Sequence, residues 1–421
     1  MVEKKKETLS MVFYALYFSV LFQVCSSSAP RQLHYSKKMQ TQLPNDFGSS
    51  VVFPVFGNVY PDGFFYADVH IGFPSRRYFL DIDTGSDLTW VQCAVGDHPK
   101  FLRAPHHPYH SPIHAVVECE NPLCAFVQHP QDHPCLAAND QCYYNVTYAD
   151  RGLSLGMLIK DSFYLPLAHK TLRTPLIFGC GYHQEHPNPT PYVDGVLGLA
   201  NGKTGILSQL REEGHTQNVI GHCLNGEGLG YIFFGYDLVP PSGIVWTQML
   251  HNSLGYYKLG PADLFVRQNL GPTATDLELV IDSGSTYTYF QSEVYEATLA
   301  EVMGELQGKH LVRVTDHSLP VCWRGQTPFQ SINQVRYYFN TLLLVFPHAN
   351  YARFELPPEA YLIVTSSGNV CLGILNSATE EGLGNLNMIG DISLQHKLVI
   401  YDNERQMIGW APSRCDKLPK S

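Results

Sequence analysis

The run Asp83-Thr84-Gly85-Ser86 returns 199 residues later as Asp282-Ser283-Gly284-Ser285. Each copy is an acid, a small hydroxyl residue, a glycine and a second hydroxyl residue. Each follows an apolar stretch, Tyr78-Phe79-Leu80-Asp81-Ile82 in the first copy and Leu279-Val280-Ile281 in the second. A strand that ends in such a loop delivers its acid at the strand's C-terminal end. A second echo follows in the same order. Asp194-Gly195-Val196-Leu197-Gly198-Leu199 lies roughly 110 residues after the first acid, and Asn387-Met388-Ile389-Gly390-Asp391 roughly 110 after the second. Glycine lets such a strand pass close behind the acidic loop. The duplication predicts two similar lobes that bring two carboxylates together. A chain of 421 residues is long enough for two packed cores.

Composition supports a β-rich fold with many turns: 22 Phe and 25 Tyr, with 34 Gly and 28 Pro. The net charge of −10 and the lack of Lys/Arg clusters exclude a nucleic-acid footprint. At the N-terminus, Lys4-Lys5-Lys6 precede the apolar stretch Met11 to Val24 and the small residues Cys25-Ser26-Ser27-Ser28-Ala29. This reads as a signal peptide over residues 1–28, which directs the chain to the secretory pathway. The stretch is shorter than the roughly 20 residues of a membrane span, so no stable span is expected. Residues 29–50 read as a short pro-segment or flexible arm, and 416–421 as a tail. The destination is the cell wall, extracellular fluid or vacuole.

Cysteine usage agrees with export. Beyond Cys25 there are ten: Cys93, Cys119, Cys124, Cys135, Cys142, Cys180, Cys223, Cys322, Cys371 and Cys415. They suffice for five disulfides, and spacing alone leaves their pairing open. His98, His106, His107, His110 and His114 lie near the first group, but zinc-module spacings are missing. Pro105, Pro108 and Pro112 also break the helix that would align three of these histidines. No metal site is expected. The Gly-rich run Asn225 to Gly230 lacks the Lys-Ser or Lys-Thr of a phosphate loop, so no cofactor is implied. Asn145-Val146-Thr147 is the one usable glycosylation sequon, since Pro189 blocks the other.

Order is expected from about Val51. Phe64 to Gly72 and Tyr78 to Ile82 read as strands, the second delivering Asp83. Residues 94–141 read as loop. Tyr143 to Tyr148 resumes strand character, turns at Ala149-Asp150-Arg151-Gly152, and returns over Met157 to Leu167 as a hairpin. Pro240-Pro241-Ser242-Gly243 marks the division into an N-terminal lobe, 51–240, and a C-terminal lobe, 241–415. The longest helix candidate is Ser292 to Leu306, with apolar residues at helical spacing.

Taken together, these motifs resemble those of the pepsin-like aspartic proteases, over nearly all of the mature chain. The similarity is greatest to the plant nucellin and nepenthesin-like branch. It rests on the two acidic loops, Leu88-Thr89-Trp90-Val91-Gln92-Cys93, Tyr148-Ala149-Asp150, Phe178-Gly179-Cys180-Gly181, the two glycine echoes, Val399-Ile400-Tyr401-Asp402 and Ile408-Gly409-Trp410-Ala411-Pro412. The resemblance implies a mainly β, bilobal fold with a central cleft. It implies a monomer that hydrolyses protein or peptide substrates at acid pH, between bulky apolar residues. The C-terminal strand of this fold returns between the lobes, which suggests a Cys180–Cys415 link.

There are departures from the branch. The usual extra Cys pair after Cys93 is absent, so the insertion's disulfides are not transferable. The flap sequence Arg151-Gly152-Leu153-Ser154 lacks the small polar residues common in relatives.

Two carboxylates a few Å apart share one proton, because like charges so close raise one pKa strongly. The resemblance assigns Asp83 and Asp282 to such a pair. Thr84 and Ser283 are expected to bond across the lobes, and Gly85 and Gly284 to bring backbone amides close. Ser86 and Ser285 are expected to donate to the outer carboxylate oxygens. Tyr148 matches the flap tyrosine and Trp90 its indole partner. Asp81, Asp87 and Asp391 read as structural or surface acids. The rival reading is a binding or inhibitor protein on the same fold with a damaged pair of acids. Both acids, their hydroxyl neighbours and Tyr148 are present, which favours the enzyme.

Overall fold

The computed structural model describes residues 50–94, 108–112, 115–167, 170–185, 193–226, 229–252, 255–267, 271–380 and 382–419. The expected signal peptide, nearly all of the expected arm, and His98, His106, His107 and His114 lie outside the described residues. No described helix is long and apolar enough to cross a membrane.

Strands dominate, in sheets of 13, seven and four strands. The opening strand, Val51–Asn58, alternates buried and partly exposed residues, the period-two pattern of a sheet with one covered face. It pairs antiparallel with Phe64–Ile71, which pairs in turn with Arg76–Asp83. The strand Arg76–Asp83 is anchored by buried Tyr78, Leu80 and Ile82 and ends on Asp83. Its other edge carries Gly195–Gly198 in parallel, with Asp83 opposite Gly198.

The second half repeats the arrangement. Ala274–Ile281 runs into Asp282 and pairs in parallel with Asn387–Ile389, placing Ile281 opposite Ile389. A Cβ on Gly390 would stand 2.1 Å from the Tyr287 carbonyl oxygen, so this echo needs glycine for close approach.

The C-terminal strands do not stay with the second half. Lys397–Asp402 pairs with Val219–Cys223 of the first half, and Met407–Pro412 with Val245–Gln248, all within the 13-stranded sheet. The helix runs over Ser292–Glu305, burying Val294, Tyr295, Thr298 and Val302. The flap hairpin is Tyr143–Thr147 paired with Leu153–Pro166. Its second arm starts four residues before the expected Met157, because pairing continues up to the turn.

Five disulfides are formed: Cys93–Cys180, Cys119–Cys135, Cys124–Cys142, Cys223–Cys415 and Cys322–Cys371. The expected Cys180–Cys415 link is overturned. Val91 pairs directly with Cys180, and the Cys93 amide donates to the Gly181 carbonyl, which seats Cys93 beside Cys180. Cys415, just past the last strand, is bonded to Cys223 of the strand that pairs with Lys397–Asp402. The C-terminus is still tied to the first half, through a different partner.

Candidate active site

The two acidic loops meet face to face. Each is organised by its own glycine and serine. The Gly85 amide donates to Asp83 Oδ1 at 2.7 Å, and the Gly284 amide to Asp282 Oδ1 at 3.0 Å. Ser86 Oγ donates to Asp83 Oδ2, and Ser285 Oγ to Asp282 Oδ2 at 2.8 Å. Each glycine also lies against the opposite carboxyl. A Cβ on Gly85 would come within 2.8 Å of Asp282 Oδ1, and one on Gly284 within 2.5 Å of Asp83 Oδ1.

Thr84 and Ser283 lock the loops together. The Thr84 amide donates to Ser283 Oγ at 3.2 Å, and the Ser283 amide to Thr84 Oγ1 at 2.9 Å. Their hydroxyls then donate across to the opposite strand: Thr84 Oγ1 to the Ile281 carbonyl at 3.2 Å, and Ser283 Oγ to the Ile82 carbonyl at 2.8 Å. Both residues are buried, so these bonds leave no polar group stranded.

Burial raises the pKa of both acids above the ordinary carboxylate range. Asp83 is pushed up to about 7, by burial first and then by the neighbouring charge of Asp282. Hydrogen bonds from Ser285, Gly284 and Gly85 restrain the rise at Asp282. The pair therefore keeps a shared proton well above pH 4 and titrates as a unit.

The flap reaches over this pair. The Tyr148 amide donates to the Gly152 carbonyl at 2.8 Å, closing a tight turn in which Arg151 takes the left-handed conformation at φ 69°. Trp90 Nε1 donates to the Tyr148 hydroxyl at 2.6 Å, fixing the ring. Burial and the Asp83 charge hold the Tyr148 hydroxyl well above its ordinary pKa. A Cβ on Gly382 would fall 2.2 Å from the Ala149 carbonyl oxygen, so a loop of the second half touches the flap tip. Beneath the flap lies a cavity of about 380 Å³ lined by both acids, Trp90 and Tyr148.

Thr84, Gly85, Ser86, Ser283, Gly284, Ser285, Tyr148 and Trp90 all lie around the two acids. Asn145 does not. It is half-buried on the first flap strand, and its Oδ1 is buried with no hydrogen-bond partner. Asp87 is structural, accepting from Thr204 Oγ1 at 2.6 Å. Asp81 and Asp391, read from the sequence as structural or surface acids, both line the cavity. The signal was available in strand alternation, since Asp81 and Asp83 are two residues apart and share a face.

A bilobal β fold with two facing acidic loops under a flap defines the pepsin-like aspartic protease class. Family profiles described as "Xylanase inhibitor N-terminal" and "Xylanase inhibitor C-terminal" match residues 65–236 and 261–412. The chain is 41% identical over 387 residues to an aspartic proteinase of Oryza sativa subsp. indica, covering 89% of this chain and 93% of the rice protein. Among solved structures it resembles lupine conglutin gamma (TM-score 0.68, 18% identity, 87% of this chain and 95% of that one). It also resembles the Irpex lacteus aspartic proteinase (TM-score 0.61, 16% identity, 87% and 98%). The chain belongs to the plant branch of the pepsin-like aspartic proteases and is an aspartic endopeptidase.

Proposed function

We propose that Asp83 and Asp282 are the catalytic dyad of this endopeptidase. The observation that carries the reading is the facing pair of loops, each glycine amide on its own acid and each glycine packed against the opposite one. With one proton between the acids, the ionised carboxylate takes a proton from water as its oxygen attacks the peptide carbonyl carbon. The protonated partner gives its proton to the carbonyl oxygen. A neutral tetrahedral diol results. Its breakdown returns one hydroxyl proton to the dyad, the carbon–nitrogen bond breaks, and the amine leaves with a proton from the other acid. Tyr148, held by Trp90, closes over the substrate and excludes water.

The same reading takes the chain through the secretory pathway to the cell wall, extracellular fluid or vacuole, acting as a monomer. Its support is the N-terminal charge and apolar pattern together with the five disulfides. Asn145 is the candidate glycosylation acceptor on that route. Residues 29–50 are the candidate pro-segment.

The test is hydrolysis of denatured globin by the secreted, disulfide-intact chain, from about pH 2 to 7, with Asp83→Asn alongside. Acid-dependent cleavage lost in the variant is the expected result. Cleavage that survives the substitution overturns the dyad.

A further inference from the structure

The cleft holds a carboxyl group that the reaction does not use. Asp81 precedes Asp83 by two residues on the strand Arg76–Asp83, so both side chains leave the same face. Two strand residues span about 7 Å, roughly the distance from a scissile bond to a flanking side chain. Asp81 lies opposite Val196 of the neighbouring parallel strand. Val196 pairs in turn with Trp90, and both line the cavity with Asp81 as apolar neighbours. Asp81 Oδ1 is buried without a hydrogen-bond partner. Asp391, 1% exposed and on the same cavity, also has an unpartnered Oδ1. A buried carboxyl oxygen left unpaired is costly unless something meets it.

The charge of the cleft points to what meets it. Seven of the described lining residues are Asp or Glu, and none is Lys, Arg or His. The matching position in the second loop, two residues before Asp282, is the apolar Val280. The acid at 81 therefore belongs to one side of the cleft and is not part of the duplicated device.

We propose that Asp81 is a specificity-determining residue, and that it receives the ammonium or guanidinium tip of a substrate lysine or arginine flanking the scissile bond. The side chain's methylenes pack on Val196 and Trp90 while its charged end reaches Asp81. This rests on the dyad reading, because it places the scissile bond at Asp83 and Asp282. It sharpens the expectation of bulky apolar preference: a long chain with a cationic end satisfies both the walls and the acid.

The preference carries a pH signature. The charges acting on Asp81 are those of Asp83, Asp282, Asp150 and Asp391, all acids, and its partner on the adjacent antiparallel strand is Tyr66. Burial and the first two of these neighbours hold the Asp81 carboxyl well above the ordinary carboxylate range in the empty cleft. An arriving cation favours the ionised form, so it binds as the Asp81 proton leaves. Preference for lysine therefore rises with pH across the acid range, and is weakest at the acid extreme.

The experiment uses two matched pairs of chromogenic peptides, with lysine or norleucine on the N-terminal or the C-terminal side of the scissile bond. The lysine-to-norleucine ratio of kcat/KM is measured from about pH 3 to 6 for the wild-type chain, Asp81→Asn and Asp81→Val. The expected result is a wild-type ratio above one in one pair, rising with pH, and falling about tenfold or more in both variants with the pH slope gone. If a variant turns over too slowly, the same ratio is read from inhibition constants of statine peptides carrying lysine or norleucine. A wild-type ratio below one at every pH, or a ratio the variants leave unchanged, overturns the proposal. Either outcome leaves the dyad intact as long as Asp83→Asn abolishes cleavage of all four peptides. Cleavage by Asp83→Asn is the separate failure of the dyad reading.

Discussion

The loops around Asp83 and Asp282 are built alike and placed differently. Each acid accepts from its own glycine amide and serine hydroxyl, and each loop sends one hydroxyl to the other strand. The surroundings break this symmetry. The flap tyrosine, Tyr148, is held by Trp90 and feels the charge of Asp83. Only Asp83 has an acid two residues upstream, where Asp282 has Val280. The symmetric part positions two carboxyls and a shared proton. The asymmetric part sets Tyr148 and Asp81 on the Asp83 side of the cleft, while burial and the charge of Asp282 drive Asp83 up to about 7.

The comparison breaks most directly at the acids themselves. Asp83→Asn and Asp282→Asn should each lower kcat by about 10³-fold or more, with the circular dichroism spectrum and Tm retained. Both losses must be of this size. A variant that keeps a tenth of wild-type turnover would remove its acid from the dyad. Next come the glycines. Gly85→Ala and Gly284→Ala should each cost about 10²-fold in kcat, because the new methyl displaces the opposite carboxyl. Gly284→Ala should cost more, since its contact with Asp83 is closer, and equal effects would argue that the loops relax freely.

Tyr148→Ala sharpens the asymmetric half. It should lower turnover about tenfold to a hundredfold without lowering Tm by more than a few degrees. Unchanged turnover would make Tyr148 an ordinary strand residue.

The smallest effect is on stability against pH. Asp83 and Asp282 have folded-state pKa values above their unfolded values, so the folded chain holds the extra proton. The contribution of Asp83 is present in full below the unfolded carboxylate range and is lost as pH rises through about 7, and that of Asp282 is lost in the same direction. If the two acids are the dyad proposed above, activity should fall through the same upper limit, because the shared proton leaves. Buried His222 acts in the opposite sense. Its pKa is lowered to about 3 by burial, so its contribution is lost as pH falls from the ordinary histidine range toward that value. Urea denaturation from pH 4 to 7 should show a shallower decline with pH in Asp83→Asn than in the wild-type chain. Identical slopes would show that Asp83 does not hold the extra proton.

The sequence by itself determined the duplicated loops and the two acids they carry, the flap turn and the helix beginning at Ser292. These are local signals. An apolar run before Asp-Thr-Gly-Ser, a turn at Ala149 to Gly152 and helical spacing from Val294 to Val302 are each written within a dozen residues. Only the tertiary structure decided the rest. The pairing of Cys93 with Cys180 follows from a parallel strand contact across 87 residues. That of Cys223 with Cys415 follows the antiparallel crossing of the C-terminal strands, across 192. Asp81 reads from the sequence as a structural or surface acid, because strand alternation tells which face it takes but not what covers that face. The cavity it lines is also lined by Val196, Trp90 and Leu153, which arrive from three other strands. The passage of Lys397–Asp402 into the first sheet is of the same kind. Such contacts arise when distant segments bury apolar surface against one another, and no short window of sequence records them.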